Sequence, residues 1–103
     1  MKREYRNESG QLHREDGPAI EYGSGHKEWY INDQLNRTDG LPAIEWSDGS
    51  KFWYINGEVH REDGSAVEYN NGGRRWYLNS IEYTEEEFQQ EVIKLKLKRL
   101  INL

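Results

Sequence analysis

The sequence predicts a mainly β protein, an antiparallel meander of about three β-hairpin repeats with one C-terminal α-helix. Three observations carry this expectation: a motif that returns about every 23 residues, apolar–polar alternation inside each copy, and a helix-capping sequence ahead of an apolar and lysine-rich tail. They divide the chain into a β array over residues 1–83, with units at about 12–34, 35–58 and 59–80, and a capping helix over 84–103.

The repeat comes first because it organises everything else. One copy runs Leu12-His13-Arg14-Glu15-Asp16-Gly17-Pro18-Ala19-Ile20-Glu21-Tyr22 and continues with Lys27-Glu28-Trp29-Tyr30-Ile31-Asn32. The second matches it from Leu35 to Trp46, with Leu41 inserted, and then from Lys51 to Gly57. The third matches from Val59 to Tyr69 and from Arg74 to Asn79. Trp29, Trp53 and Trp76 mark the period. A unit this small cannot bury its own apolar face, so stacked neighbours must do it.

Each unit reads as two short strands and two turns. In the first strand Ile20 and Tyr22 point one way and Ala19 and Glu21 the other. Pro18 and Pro42 sit at strand starts, where a missing N–H is tolerated. Ser24-Gly25, Asp48-Gly49 and Asn71-Gly72 supply turn residues that accept positive φ. The second strand alternates again, with Trp29 and Ile31 on one side and Glu28 and Tyr30 on the other. Asn56-Gly57 is a tight-hairpin signal. Asp33 and Ser80 replace that glycine in the flanking copies, so looser turns are expected there. The expected core is a stripe of Trp29, Trp53 and Trp76 with Ile31, Ile55 and Leu78. Ile20, Ile44, Val67, Tyr22, Trp46, Tyr69, Leu35 and Val59 are expected to join it.

The run Trp53-Tyr54-Ile55-Asn56-Gly57-Glu58-Val59-His60, followed by a Gly, a strand and a further Gly turn at this period, resembles the MORN repeat over residues 10–80. It departs where MORN units carry Gly-x-Gly and this chain has Arg-Glu-Asp-Gly-Pro-Ala, which leaves lipid binding unsupported. The variant is similar to MORN-like repeat proteins common in phage genomes. The resemblance implies a protein-interaction role, without an enzymatic activity, and a phage origin would place the chain in the host cytoplasm.

Thr84-Glu85-Glu86-Glu87 is a capping box, in which the Thr84 hydroxyl accepts from the Glu87 N–H and the Glu87 carboxylate returns the bond. Three acids in the first turn and Lys94, Lys96, Lys98 and Arg99 near the end both suit the helix dipole. A helix from Thr84 to about Ile101 follows. Phe88, Val92 and Leu95 form one apolar face, fit to cap the array. Ile93, Leu97 and Leu100 form a second, which needs a homodimer, a docked target or a curled sheet to cover it.

Composition bounds the function. The 103 residues contain no Cys, 4 Trp and 7 Tyr, and 32% are charged. One small domain stabilised by large aromatic side chains is expected, without disulfides or thiolate metal sites. No apolar run reaches the ~20 residues of a membrane span. The N-terminus has no apolar stretch of the signal-peptide kind, so a cytoplasmic protein is expected. Through residue 91 there are ten cations against nineteen acids, a net −9, and the last twelve residues carry +4. An acidic body repels nucleic acid and anionic lipid and favours a basic protein partner.

Chemistry-bearing residues recur once per unit, which argues for repeated geometry over catalysis. His13-Arg14-Glu15-Asp16 and His60-Arg61-Glu62-Asp63 read as turns, and no catalytic residue is assigned. His13 and His60 are two units apart and His26 sits at a turn, where solvation is expected. No metal and no cofactor are expected. The expected binding surface is an outer face of Tyr30, Tyr54 and Tyr77 with Glu21, Glu45 and Glu68, joined by Phe52 and Arg75; rigid amphipathic rings of this kind suit interfaces. The oligomer or partner interface is Ile93, Leu97 and Leu100. The leading expectation is a protein-interaction module that antagonises a host defence protein, with a basic nucleic-acid-binding protein as partner. The alternatives are a protein that sequesters a nucleotide-type signal, with Arg14, Arg37 or Arg61 meeting phosphates, and a purely structural scaffold.

Overall fold

The computed structural model describes residues 1–102. Twelve short strands precede the helix: β1 (Lys2–Glu4), β2 (Ile20–Tyr22), β3 (Lys27–Glu28), β4 (Tyr30–Ile31), β5 (Gln34–Leu35), β6 (Ile44–Glu45), β7 (Lys51–Phe52), β8 (Tyr54–Ile55), β9 (Glu58–Val59), β10 (Val67–Glu68), β11 (Arg74–Leu78) and β12 (Ile81–Tyr83). An eight-stranded antiparallel sheet runs β1-β2-β3-β6-β7-β10-β11-β12, and the hairpins β4-β5 and β8-β9 extend it. Helix α1 covers Glu85–Ile101. The meander and the helix are those the sequence predicts.

Trp29 shows how the hairpins join the sheet. Its N–H donates to Ala43 O in the sheet (2.8 Å), and its carbonyl accepts from Asn36 N–H in the hairpin (3.0 Å). Between those two partners the chain leaves the sheet plane and returns. These excursions, residues 14–18, 37–42 and 61–65, are ridges lying over one face.

The turns explain the register. Each lower turn closes with three residues: Tyr22, Trp46 and Tyr69 donate their N–H to His26, Ser50 and Gly73 O, and Gly25, Gly49 and Gly72 have φ of 99°, 95° and 91°. This is the three-residue hairpin loop with a left-handed third residue. It pairs Ile20 with Glu28 and Ile44 with Phe52. Ala19 then falls opposite Trp29, since Ala19 N–H bonds Glu28 O and Trp29 N–H bonds Ala43 O. A two-residue turn at Ser24-Gly25 would instead have set Ile20 against Trp29. One residue of register exchanges the two faces.

The upper turns correct another expectation. Asn32-Asp33, Asn56-Gly57 and Asn79-Ser80 all take positive φ at both positions, so Asp33 (66°) and Ser80 (65°) do not loosen their turns. Their side chains bond the preceding hairpin: Leu12 N–H donates to Asp33 Oδ1 (2.6 Å) and Val59 N–H to Ser80 Oγ (3.3 Å). A contact that glycine cannot make offsets the left-handed strain.

A second link joins the end of one hairpin to the turn of the next. Asn32 N–H donates to His13 Nδ1 (3.1 Å), Asn56 N–H to Asn36 Oδ1 (2.8 Å) and Asn79 N–H to His60 Nδ1 (2.9 Å). Histidine and asparagine interchange because each offers an acceptor at the same reach.

The sheet is thin, with overall extents of 45 × 36 × 18 Å, and it has a tryptophan face and a tyrosine face. On the tryptophan face, fully buried Ala19, Ala43 and Ala66 lie between Trp29, Trp53 and Trp76 in one cross-strand row. They were expected on an open outer side. Arg37 and Arg61 lay their guanidinium groups 3.8 Å from the rings of Trp29 and Trp53, and Arg14 lies 3.9 Å from Tyr5. Tyr5 therefore holds the tryptophan position of a half-unit ahead of the first. Trp53 is buried; Trp29 and Trp76 are half-buried. Among the described residues no arginine lies over Trp76. Phe88 and Val92 of α1 form a buried cluster with Leu78, and Trp76, Tyr83 and Leu95 pack against it. The helix does for the last tryptophan what arginine does for the others. On the tyrosine face, buried Ile20, Ile44 and Val67 lie under larger rings. Leu35 and Val59 pair with Tyr30 and Tyr54, so the expected single core stripe is divided between two faces. Trp46 and Tyr69, expected in that core, are exposed.

The capping box at Thr84 forms as the sequence predicts. Arg99 then makes two 2.7 Å bonds to Glu62 and fastens α1 to the third ridge.

Candidate interaction surface

The register separates the expected surface residues. Tyr30, Tyr54, Tyr77, Phe52 and Arg75 share the tyrosine face. Glu21, Glu45 and Glu68 lie on the tryptophan face, in a cross-strand row with Lys27, Lys51 and Arg74. There the glutamates secure the ridges: Arg14 approaches Glu21 (3.7 Å), Arg37 Glu45 (3.0 Å) and Arg61 Glu68 (3.1 Å). The same arginines donate to the carbonyls of Pro18, Pro42 and Ser65. A Cβ at Gly17 would stand 2.9 Å from the Arg14 guanidinium, so a larger residue there would displace the end of that side chain.

Grooves run between the ridges. The first, of about 500 Å³, has Trp29 and Ile31 in its lining with Arg14, Asp16, Arg37 and Asp39. The second, of about 330 Å³, lies over Trp53 and Ile55. A third, of about 570 Å³, separates the last ridge from α1 beside Trp76, Phe88, Val92 and Ile93. In the first two grooves one face of each indole already holds a guanidinium group, and those groups already hold carboxylates. Glu15, Asp16 and Asp39 add negative charge where a phosphate would enter.

The tyrosine face has a different character. Its rings form a chain: Tyr22 to His26 at 5.0 Å, His26 to Trp46 at 4.0 Å, Trp46 to Phe52 at 6.5 Å and Phe52 to Tyr69 at 6.1 Å. Trp46 is 45% exposed and Tyr69 37%. These two and Tyr22 were assigned to the core by sequence and are the residues that its surface prediction missed. The missed signal was the length of the lower turns.

His26 is buried, contrary to its expected solvation, because Trp46 and Tyr22 cover it. Its Nε2 lies 2.6 Å from Glu28 Oε2, and Tyr30 donates its hydroxyl to Glu28 Oε1 (2.8 Å). Among the described residues His26 Nδ1 has no partner. Burial and the neighbouring Glu28 carboxylate push the Tyr30 phenol up, so it remains a neutral donor. The equivalent trios, Ser50-Phe52-Tyr54 and Gly73-Arg75-Tyr77, have no such chain.

The charged groups of this face pair among themselves. Glu4 lies between Lys2 (3.4 Å) and Arg6 (3.2 Å). Arg75 makes 2.8 and 2.7 Å bonds to Glu82 and a 3.3 Å bond to the Tyr69 hydroxyl. The Arg75 guanidinium holds the Glu82 carboxyl below the usual range. The surface is aromatic and electrically balanced.

No described helix is long and apolar enough to cross a membrane. Among the described residues no three His, Cys, Asp or Glu side chains are placed to hold a metal ion. Fold and surface together define a thin, mainly β protein, an eight-stranded antiparallel meander with two hairpins and a C-terminal helix, with one face crossed by ridges and one open aromatic face. No family model, no curated protein and no solved structure matches the chain.

Proposed function

We propose that the protein is a non-enzymatic interaction module that docks a partner protein on the tyrosine face. The observation that carries this reading is the contiguous ring chain from Tyr22 to Tyr69, with Trp46 and Tyr69 open to solvent. Rings whose own charges are satisfied present large apolar area at little rotamer cost. The partner contact is then aromatic and apolar, with Tyr30, Tyr54, Tyr77, Phe52 and Arg75 around Trp46. A basic partner would meet its complement elsewhere, at the ridge acids of the tryptophan face. Antagonism of a host defence protein remains the role that the phage-type resemblance supplies for such a module. Sequestering of a nucleotide is the weaker reading, since Arg14, Arg37 and Arg61 are all engaged.

The test is capture from bacterial lysate with the intact chain, repeated with Trp46→Ser plus Tyr69→Ser and with Glu15→Gln plus Asp63→Asn. Docking on the tyrosine face predicts a stoichiometric partner that persists at ~0.5 M salt, where exposed charge pairs are screened. It is lost from the ring variant and kept by the ridge variant. The opposite pattern moves the working surface to the ridges.

A further inference from the structure

We infer that His26 is a pH-sensitive latch beneath Trp46: as a neutral imidazole it seats Trp46 in the ring chain, and on protonation it turns toward water and lifts Trp46 out of that chain. The consequence for binding rests on the docking role proposed for the tyrosine face; the movement of Trp46 does not.

The latch belongs to the first unit alone. His26, Ser50 and Gly73 hold equivalent places at the ends of the three lower turns. The His26 residue is 6% exposed. Its ring lies between those of Tyr22, at 5.0 Å, and Trp46, at 4.0 Å. The turn sets Tyr22 across from it, and the pairing of Lys27 with Glu45 puts Trp46 on its other side. Glu28 takes one edge of the ring, with Oε2 2.6 Å from Nε2. A carboxylate accepts, so Nε2 carries the hydrogen of the neutral ring and Nδ1 keeps a bare lone pair. Nδ1 is closed to solvent and has no partner among the described residues.

Protonation adds its hydrogen at Nδ1. A buried acceptor without a donor is tolerated more readily than a buried, charged donor without an acceptor. The groups around the ring supply no acceptor there. From β3, Glu28 is committed to the Nε2 edge and to the Tyr30 hydroxyl (2.8 Å). Burial and Glu28 push the Tyr30 phenol up, so it stays a donor. From β1, Glu4 is held by Lys2 and Arg6, and the Lys2 ammonium lies 6.0 Å from the Tyr22 ring. Tyr22 and Trp46 meet His26 with ring surface. The cation–π attraction of Trp46 opposes opening and is the weaker effect. Glu28 can keep its bond to Nε2 as a hinge while Nδ1 swings out. Trp46, already 45% exposed, is the cover with room to move.

Nuclear magnetic resonance of the labelled full chain tests this between about pH 8 and 5, the range over which histidine changes charge. The Trp46 indole signal should move together with the His26 ring nitrogens, while the other three indoles stay still. Overhauser contacts between the Trp46 and His26 rings should be present at the alkaline end and lost at the acid end. In His26→Ser, which copies the second unit, the Trp46 signal should be constant. A His26 ring that does not titrate in this range overturns the latch. So do ring contacts that persist or tighten in acid, and so does an equal Trp46 shift in His26→Ser. A partner captured by the ring face should be released in acid by the native chain and retained by His26→Ser; retention by both while Trp46 moves overturns the control of binding. Trp46 movement with no partner lost from Trp46→Ser plus Tyr69→Ser supports the latch and sinks the docking role instead.

Discussion

The two faces of the sheet use the same kinds of side chain to opposite ends. On the tryptophan face each ring in the array has a cover: Arg14 on Tyr5, Arg37 on Trp29, Arg61 on Trp53, and α1 on Trp76. Alanine between the rings lets the ridges lie close. On the tyrosine face the rings touch one another, and Trp46 and Tyr69 have solvent above them. A sheet 18 Å thick overall cannot hide both faces in a conventional core. One has its rings clamped by its own loops; the other carries rings open to solvent. Substitutions on the first should therefore be read in stability and those on the second in binding.

The largest expected effect is at Trp53. Trp53→Ala removes a buried ring flanked by Ala43 and Ala66 and should cost ~3–5 kcal/mol, seen as a collapse of the thermal midpoint. Arg61→Ala should follow at about 2 kcal/mol, from the lost stacking on Trp53 and the bonds to Ser65 O and Glu68. Arg75→Ala, an arginine of equal charge on the open face, should shift the urea midpoint far less than Arg61→Ala, because its pair with Glu82 is exposed. Similar losses for Arg61 and Arg75 in urea titration would erase the distinction between the faces. His60→Ala should cost ~1 kcal/mol by leaving the Asn79 N–H without its acceptor. His60→Asn should be nearly neutral, since Asn36 already serves in the middle unit.

Acid tests the helix clamp. Bonds from Arg99, opposed by partial burial and supported by His60, hold the Glu62 carboxyl at about 2. A carboxylate lowered on folding stabilises above its unfolded value near 4.5 and loses that contribution as pH falls toward about 2. Stability should thus decline over that window, and Arg99→Gln should flatten the decline. A slope unchanged by Arg99→Gln would dissociate α1 from the third ridge.

The repeat, the strand order, the positive-φ glycines and the capping box were all legible in the sequence, because each rests on local chemistry repeated three times or on one complete motif. The assignment of faces was not. Alternation shows which residues of a strand share a side, but only the turn decides which sides meet. The three-residue loops at Gly25, Gly49 and Gly72 moved Trp46 and Tyr69 outward and Glu21, Glu45 and Glu68 beneath the ridges. Tyr5 escaped notice because tyrosine stands for tryptophan and because the turn to Leu12 is longer than in the later units. Glu4-Tyr5 ahead of Leu12-His13-Arg14 was the available signal. The exposure of Ile93, Leu97 and Leu100 was foreseeable, since one helix cannot present two opposite sides to a single sheet.

The joint made by His13, Asn36 and His60 on the next asparagine N–H reaches beyond stability. Because successive hairpins are tied by the same donor and an interchangeable acceptor, one hairpin repeat more or fewer would meet its neighbours through bonds of a kind that already exist. The open aromatic strip would lengthen or shorten in step, so its extent is set by how many repeats the chain carries.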